Sequence, residues 1–264
     1  MGRNEKSWSV PMEVVNGGGG AAAPVDMLVK QRYDRMAVQG SSSLCCSPEE
    51  SYSPEELASV PAIVRELSSS CGSPLKGQVV AANQCILDLG SGAGLDALLC
   101  AKRYPDSKVI GVDASPNMVK TARSAAAEMN LGNVEFRVGD IRRVPLRDQS
   151  VDIAISNCVI SMFEDKSKVL SEAFRVLKPG GMLMISDTLL ENAEQSFSYA
   201  QDDWEKCIVA LSPQEYEALI LSSGFARVEF RDIKKVLYRD GQEVVSVKVV
   251  AMKSENVDAS SCCC

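Results

Sequence analysis

The segment ILDLGSGAGLD at residues 86 to 96 constrains this chain more than any other. An apolar run of strand character leads directly into Gly90, Ser91, Gly92, Ala93 and Gly94, and a helix is expected to begin near Leu95. Glycines in such a turn let the backbone approach a ligand at a helix N-terminus. The dinucleotide fingerprint needs its third glycine at position 95, where this chain has leucine. The spacing is GxGxG, which weakens a nicotinamide reading.

The turn sits in a repeating pattern. Strand-like segments QCILDLG, KVIGVD, VEFRVGD, VDIAISNCVI and MLMISDT alternate with helical stretches from Leu95 to Arg103, Asn117 to Asn130 and Lys166 to Leu177. Such alternation predicts a parallel sheet with helices on both faces. Pro213 to Ser223 reads as a helix closed by Gly224, and ARVEFRDI with EVVSVKVVAM reads as a closing antiparallel pair. Upstream, Val25 to Val38 has a helical face of Met27, Val29, Tyr33, Met36 and Ala37. Ser53, Pro54 and Glu56 mark the start of a short helix interrupted at Pro61. The expected organisation is a tail over 1–24, a helical and loop segment over 25–75, a main domain over 76–252 and a second tail over 253–264.

Composition removes several function classes. The chain has no histidine, so imidazole bases, Ser/His/Asp triads and His-containing metal sites drop out. A formal net charge of -7 disfavours nucleic acid as the main partner, because phosphate binding needs a basic face. No apolar stretch reaches about 18 residues, and MGRNEKSWSVPMEV lacks a secretory apolar region, so the chain is expected to be cytoplasmic with no membrane partner. Gly2 invites myristoylation, but Lys6 stands where that motif wants Ser or Thr.

Two further carboxylates fall in register with the glycine turn. Asp113 ends the second strand, nineteen residues beyond Gly94, where it can accept both hydroxyls of a ribose. Asp140 ends the third strand, placed to accept from an adenine amino group, with Ile141 beside it as an apolar contact. Asp88, within the first strand, either pairs with a ligand ammonium or orders the turn. LDLGSGAG, VIGVDAS, EFRVGDI and FRVLKPGG resemble the motifs of the class I S-adenosylmethionine-dependent methyltransferases, over about half the chain. The resemblance implies a Rossmann-like α/β fold, with a seven-stranded, mostly parallel sheet, helices on both faces and an antiparallel final hairpin. It implies S-adenosyl-L-methionine as cofactor. The candidate contacts are Asp88, Gly90, Ser91, Gly92, Gly94, Asp113, Ala114, Met118, Asp140, Ile141 and Asn157.

Ten cysteines in a cytoplasmic chain are expected to be mostly reduced, as reactive, ligating or buried thiols rather than a disulfide framework. Cys85 and Cys100 read as core. Cys158, in ISNCVI, ends the fourth strand. Cys71, in SSCGSP, lies in a turn, and Cys207, in WEKCIVALSP, follows the fifth strand. No CxxC pair exists, and the wide separations argue against zinc. CGSP, LDLGSGAGLD, ISNCVI and KCIVAL together resemble the arsenite S-adenosylmethionine methyltransferases. That resemblance carries catalytic, arsenic(III)-ligating roles onto Cys71, Cys158 and Cys207, within a short arsenic-binding segment at about 200–225 for the last of them. It makes Cys45 or Cys46 the additional N-terminal thiol, with Cys46 the catalytic candidate.

The implied activity is methyl transfer to arsenite and methylarsenite, in arsenic detoxification. Thiol oxidation and reduction would accompany it, with glutathione or thioredoxin as reductant. Ser161 and Ser70 depart from the asparagine and glycine common in that family, and the small-residue run after Cys207 is shortened. Another small-molecule methyltransferase acting on a quinone-like or sterol-like acceptor, or a non-catalytic arsenic-binding thiol protein, are the competing readings. The terminal Cys262, Cys263 and Cys264 could bind arsenic or carry lipid, although Ser261 breaks the CaaX pattern.

Overall fold

The computed structural model describes residues 25–39, 47–191, 211–239 and 242–255. Seven strands form one sheet: β1 (Cys85–Leu89), β2 (Lys108–Asp113), β3 (Val134–Val138), β4 (Val151–Asn157), β5 (Leu177–Leu190), β6 (Arg227–Arg239) and β7 (Gln242–Met252). Their order is β3-β2-β1-β4-β5-β7-β6, parallel through the first five, with β7 antiparallel to both β5 and β6. The expected fold class is therefore the observed one. The long β5 begins at Leu177, before the Pro179–Gly181 stop, because Leu177 pairs with Val151 and the ladder resumes after a bulge at Met182.

Among the described residues seven α-helices flank the sheet. They are α1 (Val25–Gln39), α2 (Pro54–Ala58), α3 (Ala62–Glu66), α4 (Leu95–Arg103), α5 (Pro116–Glu128), α6 (Lys166–Val176) and α7 (Pro213–Ser222). Ser53 caps α2 through a reciprocal bond pair with Glu56, and the chain breaks at Pro61 before α3. Ser212 and Glu215 repeat that capping box at α7. Each such cap is worth about 1 kcal/mol, because it satisfies N–H groups the helix cannot pair itself.

Strand order decides which face each helix covers. From β1 to β2 to β3 the chain steps one way along the sheet, and from β4 to β5 it steps the other way. Right-handed crossovers then put α4 and α5 on one face and α6 on the other. Leu98, Ala101, Met118 and Ala122 accordingly pack with Ile86, Ile153 and Ile155, joined by Met36, Leu57 and Val64 from the N-terminal helices. Val169, Leu170, Ala173 and Ile220 pack with Leu87, Leu89, Ile110 and Leu183 on the opposite side. Burying each of these large side chains contributes roughly 1.5–3 kcal/mol. The direction reverses between β1 and β4, and ligands of open α/β sheets bind in the crevice at such a point.

Among the described residues no helix is long and apolar enough to cross a membrane.

Candidate functional site

A cleft of about 420 Å³ opens at the reversal point. Its floor is the turn after β1. Gly90 has φ +74°, and a Cβ there would meet Val159 Cγ1 at 2.6 Å, so only glycine lets the turn close under the β4 end. The Gly90 and Ser91 N–H groups donate to the Val112 carbonyl, which ties the turn to β2. Gly92, at φ +51°, has nothing within 4 Å of its Cβ position and faces open space. Its N–H donates to Asp113 Oδ2 at 2.9 Å, and Ser115 N–H donates to Asp113 Oδ1 at 2.8 Å. Each Asp113 oxygen keeps lone-pair capacity for a ligand hydroxyl.

Asp88 is buried, and its Oδ2 has no hydrogen-bond partner among the described residues. Burial pushes its carboxyl well above the ordinary value, and the Asp96 and Asp113 carboxylates push the same way. Ser91 Oγ is likewise buried without a partner. Such orphaned groups at a cleft are what a cationic, hydrogen-bonding ligand would satisfy.

Asp88, Gly90, Ser91, Gly92, Asp113, Ala114, Asp140, Ile141, Asn157 and Cys158, all candidates from the sequence, line the cleft. Two candidates do not. Gly94 lies beside the Phe136 ring, 2.8 Å from where its Cβ would be, and serves helix packing. Met118 is fully buried in the core of α5. Asp140 lines the cleft already committed: Arg142 donates from Nε to both carboxylate oxygens and from Nη2 to Oδ2 at 2.7 Å. Those bonds hold the Asp140 carboxyl below its ordinary value. The Arg142 guanidinium also sits 5.6 Å from the Phe163 ring centroid, a cation–π pairing the sequence did not disclose. Helix α1 contributes Met27, Val29, Lys30 and Tyr33 to the cleft. Asp34 anchors that helix by accepting from Ser115 Oγ at 2.6 Å and Asn117 Nδ2 at 3.0 Å.

The cysteines require a correction. Cys71 and Cys158 were expected as separate reduced thiols, but they form a disulfide with their Cα atoms 5.7 Å apart. That separation lies inside the range a disulfide spans. Cys158 follows the last residue of β4 in a left-handed conformation, φ +54°, held by its N–H to the Ser186 carbonyl at 2.8 Å. Non-glycine residues pay roughly 1–2 kcal/mol there. Cys71 is positioned by Asn157, whose Oδ1 accepts the Cys71 N–H at 3.1 Å. Asn157 Nδ2 lies 2.7 Å from the Gly72 carbonyl and 2.9 Å from Asp96 Oδ2, with Tyr52 Oη and Ser70 Oγ each at 3.2 Å. Tyr52 completes the cluster by donating to Asp96 Oδ1 at 2.5 Å. Burial raises Asp96, while the bonds from Tyr52 and Asn157 oppose that shift. Asn157 was expected as a cofactor contact, yet its amide is engaged by the Cys71 loop and Asp96.

Cys100 is buried as expected, whereas Cys85 is only half-buried at the start of β1. Cys45, Cys46, Cys207 and Cys262 to Cys264 lie outside the described residues, as does part of the 200–225 segment.

Residues 81–241 match the family model described as a methyltransferase domain. The chain is 34% identical over 226 residues to the arsenite methyltransferase of Halobacterium salinarum, covering 76% of this chain and 57% of that protein. It is 33% identical over 159 residues to a malonyl-[acyl-carrier protein] O-methyltransferase of Xylella fastidiosa, covering 59% of this chain and 53% of that one. The chain thus spans just over half the length of these curated relatives. Among solved structures it is similar to an arsenic(III) S-adenosylmethionine methyltransferase from Chlamydomonas reinhardtii, at 30% identity and TM-score 0.64, covering 76% of this chain and 73% of that one. S-adenosylmethionine, the cofactor, carries an ammonium suited to Asp88 and ribose hydroxyls suited to Asp113, so the cleft's unsatisfied groups fit it. The chain belongs to the methyltransferase-domain family, the S-adenosylmethionine-dependent methyltransferases of class I, and is similar within it to the arsenite methyltransferases.

Proposed function

We propose that this chain methylates trivalent arsenic held by Cys71 and Cys158 in their reduced state, with Cys207 as a third ligand. The observation that carries the reading is the meeting of Cys71, 87 residues away in sequence, with Cys158, which lines the cofactor cleft. When bound, S-adenosylmethionine supplies an electrophilic methyl group.

Arsenic(III) is soft and prefers sulfur, so two or three thiolates bind it and leave its lone pair free. That lone pair is the nucleophile: as the As–C bond forms, the sulfonium S–C bond would break, with its electron pair leaving on the thioether sulfur. Arsenic would become formally pentavalent until thiols reduce it, and no side chain has to remove a proton. A chain without histidine can therefore support the reaction. Cys158 sets the arsenic at the β4 end, beside the glycine turn, and Asn157 holds Cys71 in register with it, which supplies orientation. Asp88 and Asp113 would hold the cofactor's ammonium and ribose. Ligation requires both thiols, so the disulfide is the resting oxidised form that a thiol reductant must open.

Incubating purified, reduced protein with S-adenosylmethionine and arsenite, then separating arsenic species by chromatography, tests the reading. Methylated arsenicals are expected. Their absence from protein that still binds the cofactor would overturn it and favour the O-methyltransferase or arsenic-sequestering alternatives.

A further inference from the structure

Cys158 lines the cofactor cleft, whereas Cys71 lines a second cavity of about 200 Å³. The disulfide joins a cysteine of one cavity to a cysteine of the other. The second cavity exists because one face of the sheet changes character along its strands. Ile153, Ile155, Met184 and Val250 make that face apolar under the helices. Nearer the carboxyl ends of β4 and β5 the same face turns polar, with Asn157 opposite Ser186 and Ser186 opposite Lys248 in the ladder.

The floor is fastened to the Cys71 loop. Ser246 Oγ donates to the Cys71 carbonyl, and Lys248 Nζ donates to the Lys76 carbonyl. The Ser186 hydroxyl is buried with no partner among the described residues, beneath Gly72, where a Cβ would meet its Oγ at 2.8 Å. The rim is charged. Lys76 and Lys234 are exposed there with Glu50 and Asp232, and Lys248 is buried behind them. Among the described residues Lys76, Lys234 and Glu50 stand in no ion pair, whereas the Asp232 carboxylate favours the charged form of Lys248. Two exposed cations and two exposed carboxylates around a polar floor suit a ligand that carries both signs of charge.

We infer that this cavity is the entry site for the reductant, and that it takes a small amino-acid-type thiol. The thiol's carboxylates meet the lysines, its ammonium meets Glu50 and Asp232, and its sulfur reaches Cys71. A folded protein's thiol fits less well, because Cys71 and Cys158 are only 8% and 3% exposed. The purpose of the reduction rests on the arsenic reading above, but the reduction itself involves no arsenic.

Its chemistry balances as thiol–disulfide exchange. The small thiolate attacks the Cys71 sulfur, the bond to Cys158 breaks, and the electron pair leaves on the Cys158 sulfur. A second thiolate then attacks the small thiol's own sulfur in the mixed disulfide and releases Cys71 as thiolate. Two small thiols become one small disulfide, the protein gains two electrons, and the two thiol protons pass to the cysteines or to solvent. Cys158 is freed on the cofactor side while the spent thiol stays on the other.

The test uses the oxidised full chain without arsenic or cofactor. Glutathione is compared with its diethyl ester, which keeps the thiol and masks the carboxylates. Reaction is quenched with iodoacetamide, and adducts are mapped by peptide mass. Glutathione is expected to add at Cys71, with a rate that saturates and exceeds the ester's about tenfold, the worth of a few exposed ion pairs. In the Lys76→Glu/Lys234→Glu double variant that ratio should fall towards one. An adduct on Cys158, equal rates in the unaltered chain, a ratio that survives the double substitution, or reduction by thioredoxin with glutathione inert would each overturn the inference. Arsenic methylation would still stand after such a result, and its own failure would leave this site untouched.

Discussion

The two halves of the candidate site are assembled by opposite means. The cofactor half draws on Asp88, Gly90, Gly92 and Asp113, where each group follows from a strand end and the turn after it. The thiol half draws on Tyr52, Ser70, Cys71, Asp96, Asn157 and Cys158, and its bonds span up to 105 residues. In the first half the backbone does the positioning, so a single added carbon is costly. In the second, side-chain bonds do it, so deleting one amide loosens a whole loop. The halves should therefore fail in different ways.

The largest effect is expected at the glycine turn. Gly90→Ala forces a Cβ against Val159 at a positive φ, which should cost about 2–3 kcal/mol of stability and weaken cofactor binding by on the order of 100-fold. Thermal melting with and without S-adenosylmethionine measures both. Next, Asn157→Ala leaves Asp96 and the Cys71 loop short of buried partners, at about 1–3 kcal/mol. Turnover should fall more than cofactor affinity, and the disulfide should re-form more slowly after reduction. Equal losses in both would break the division between the halves.

Asp88 gives the pH dependence. Burial and the neighbouring Asp96 and Asp113 carboxylates raise its pKa in the free protein, whereas the cofactor's ammonium favours the ionised form. Binding thus expels a proton, and affinity should rise with pH until the raised free-state pKa is passed, then level off. Asp88→Asn should flatten that rise and lower affinity by about tenfold, a charge-assisted hydrogen bond's worth. Calorimetry in buffers of different ionisation enthalpy reads the proton directly. The smallest effect is expected at Asp140, whose oxygens already serve Arg142; Asp140→Ala should change affinity by only about threefold.

The same contrast separates what is legible in the sequence from what is not. Strands, the glycine turn, the cap at Ser53 and the break at Pro61 have short-range signatures, in periodicity or in residues three apart. The carboxylates at strand ends follow from the same logic. The bond from Tyr52 to Asp96 has no such signature, nor has the capture of Asp140 by Arg142. The place of Asn157 on its strand is legible but its partners are not, because a strand position fixes an address and not a hydrogen bond. The pairing of Cys71 with Cys158 is masked by the general expectation that cytoplasmic thiols stay reduced. What decides it is the distance between their Cα atoms, which the fold sets through contacts 87 residues apart.

The most direct test of the account is Cys158→Ser, with turnover on arsenite and affinity for S-adenosylmethionine measured on one reduced preparation. The account predicts that turnover falls by at least about 100-fold, since serine is a poor ligand for a soft centre, while cofactor affinity stays within about twofold. Turnover close to that of the unaltered chain would show that Cys158 only packs at the end of β4, and would contradict the claim that the two halves meet at an arsenic atom.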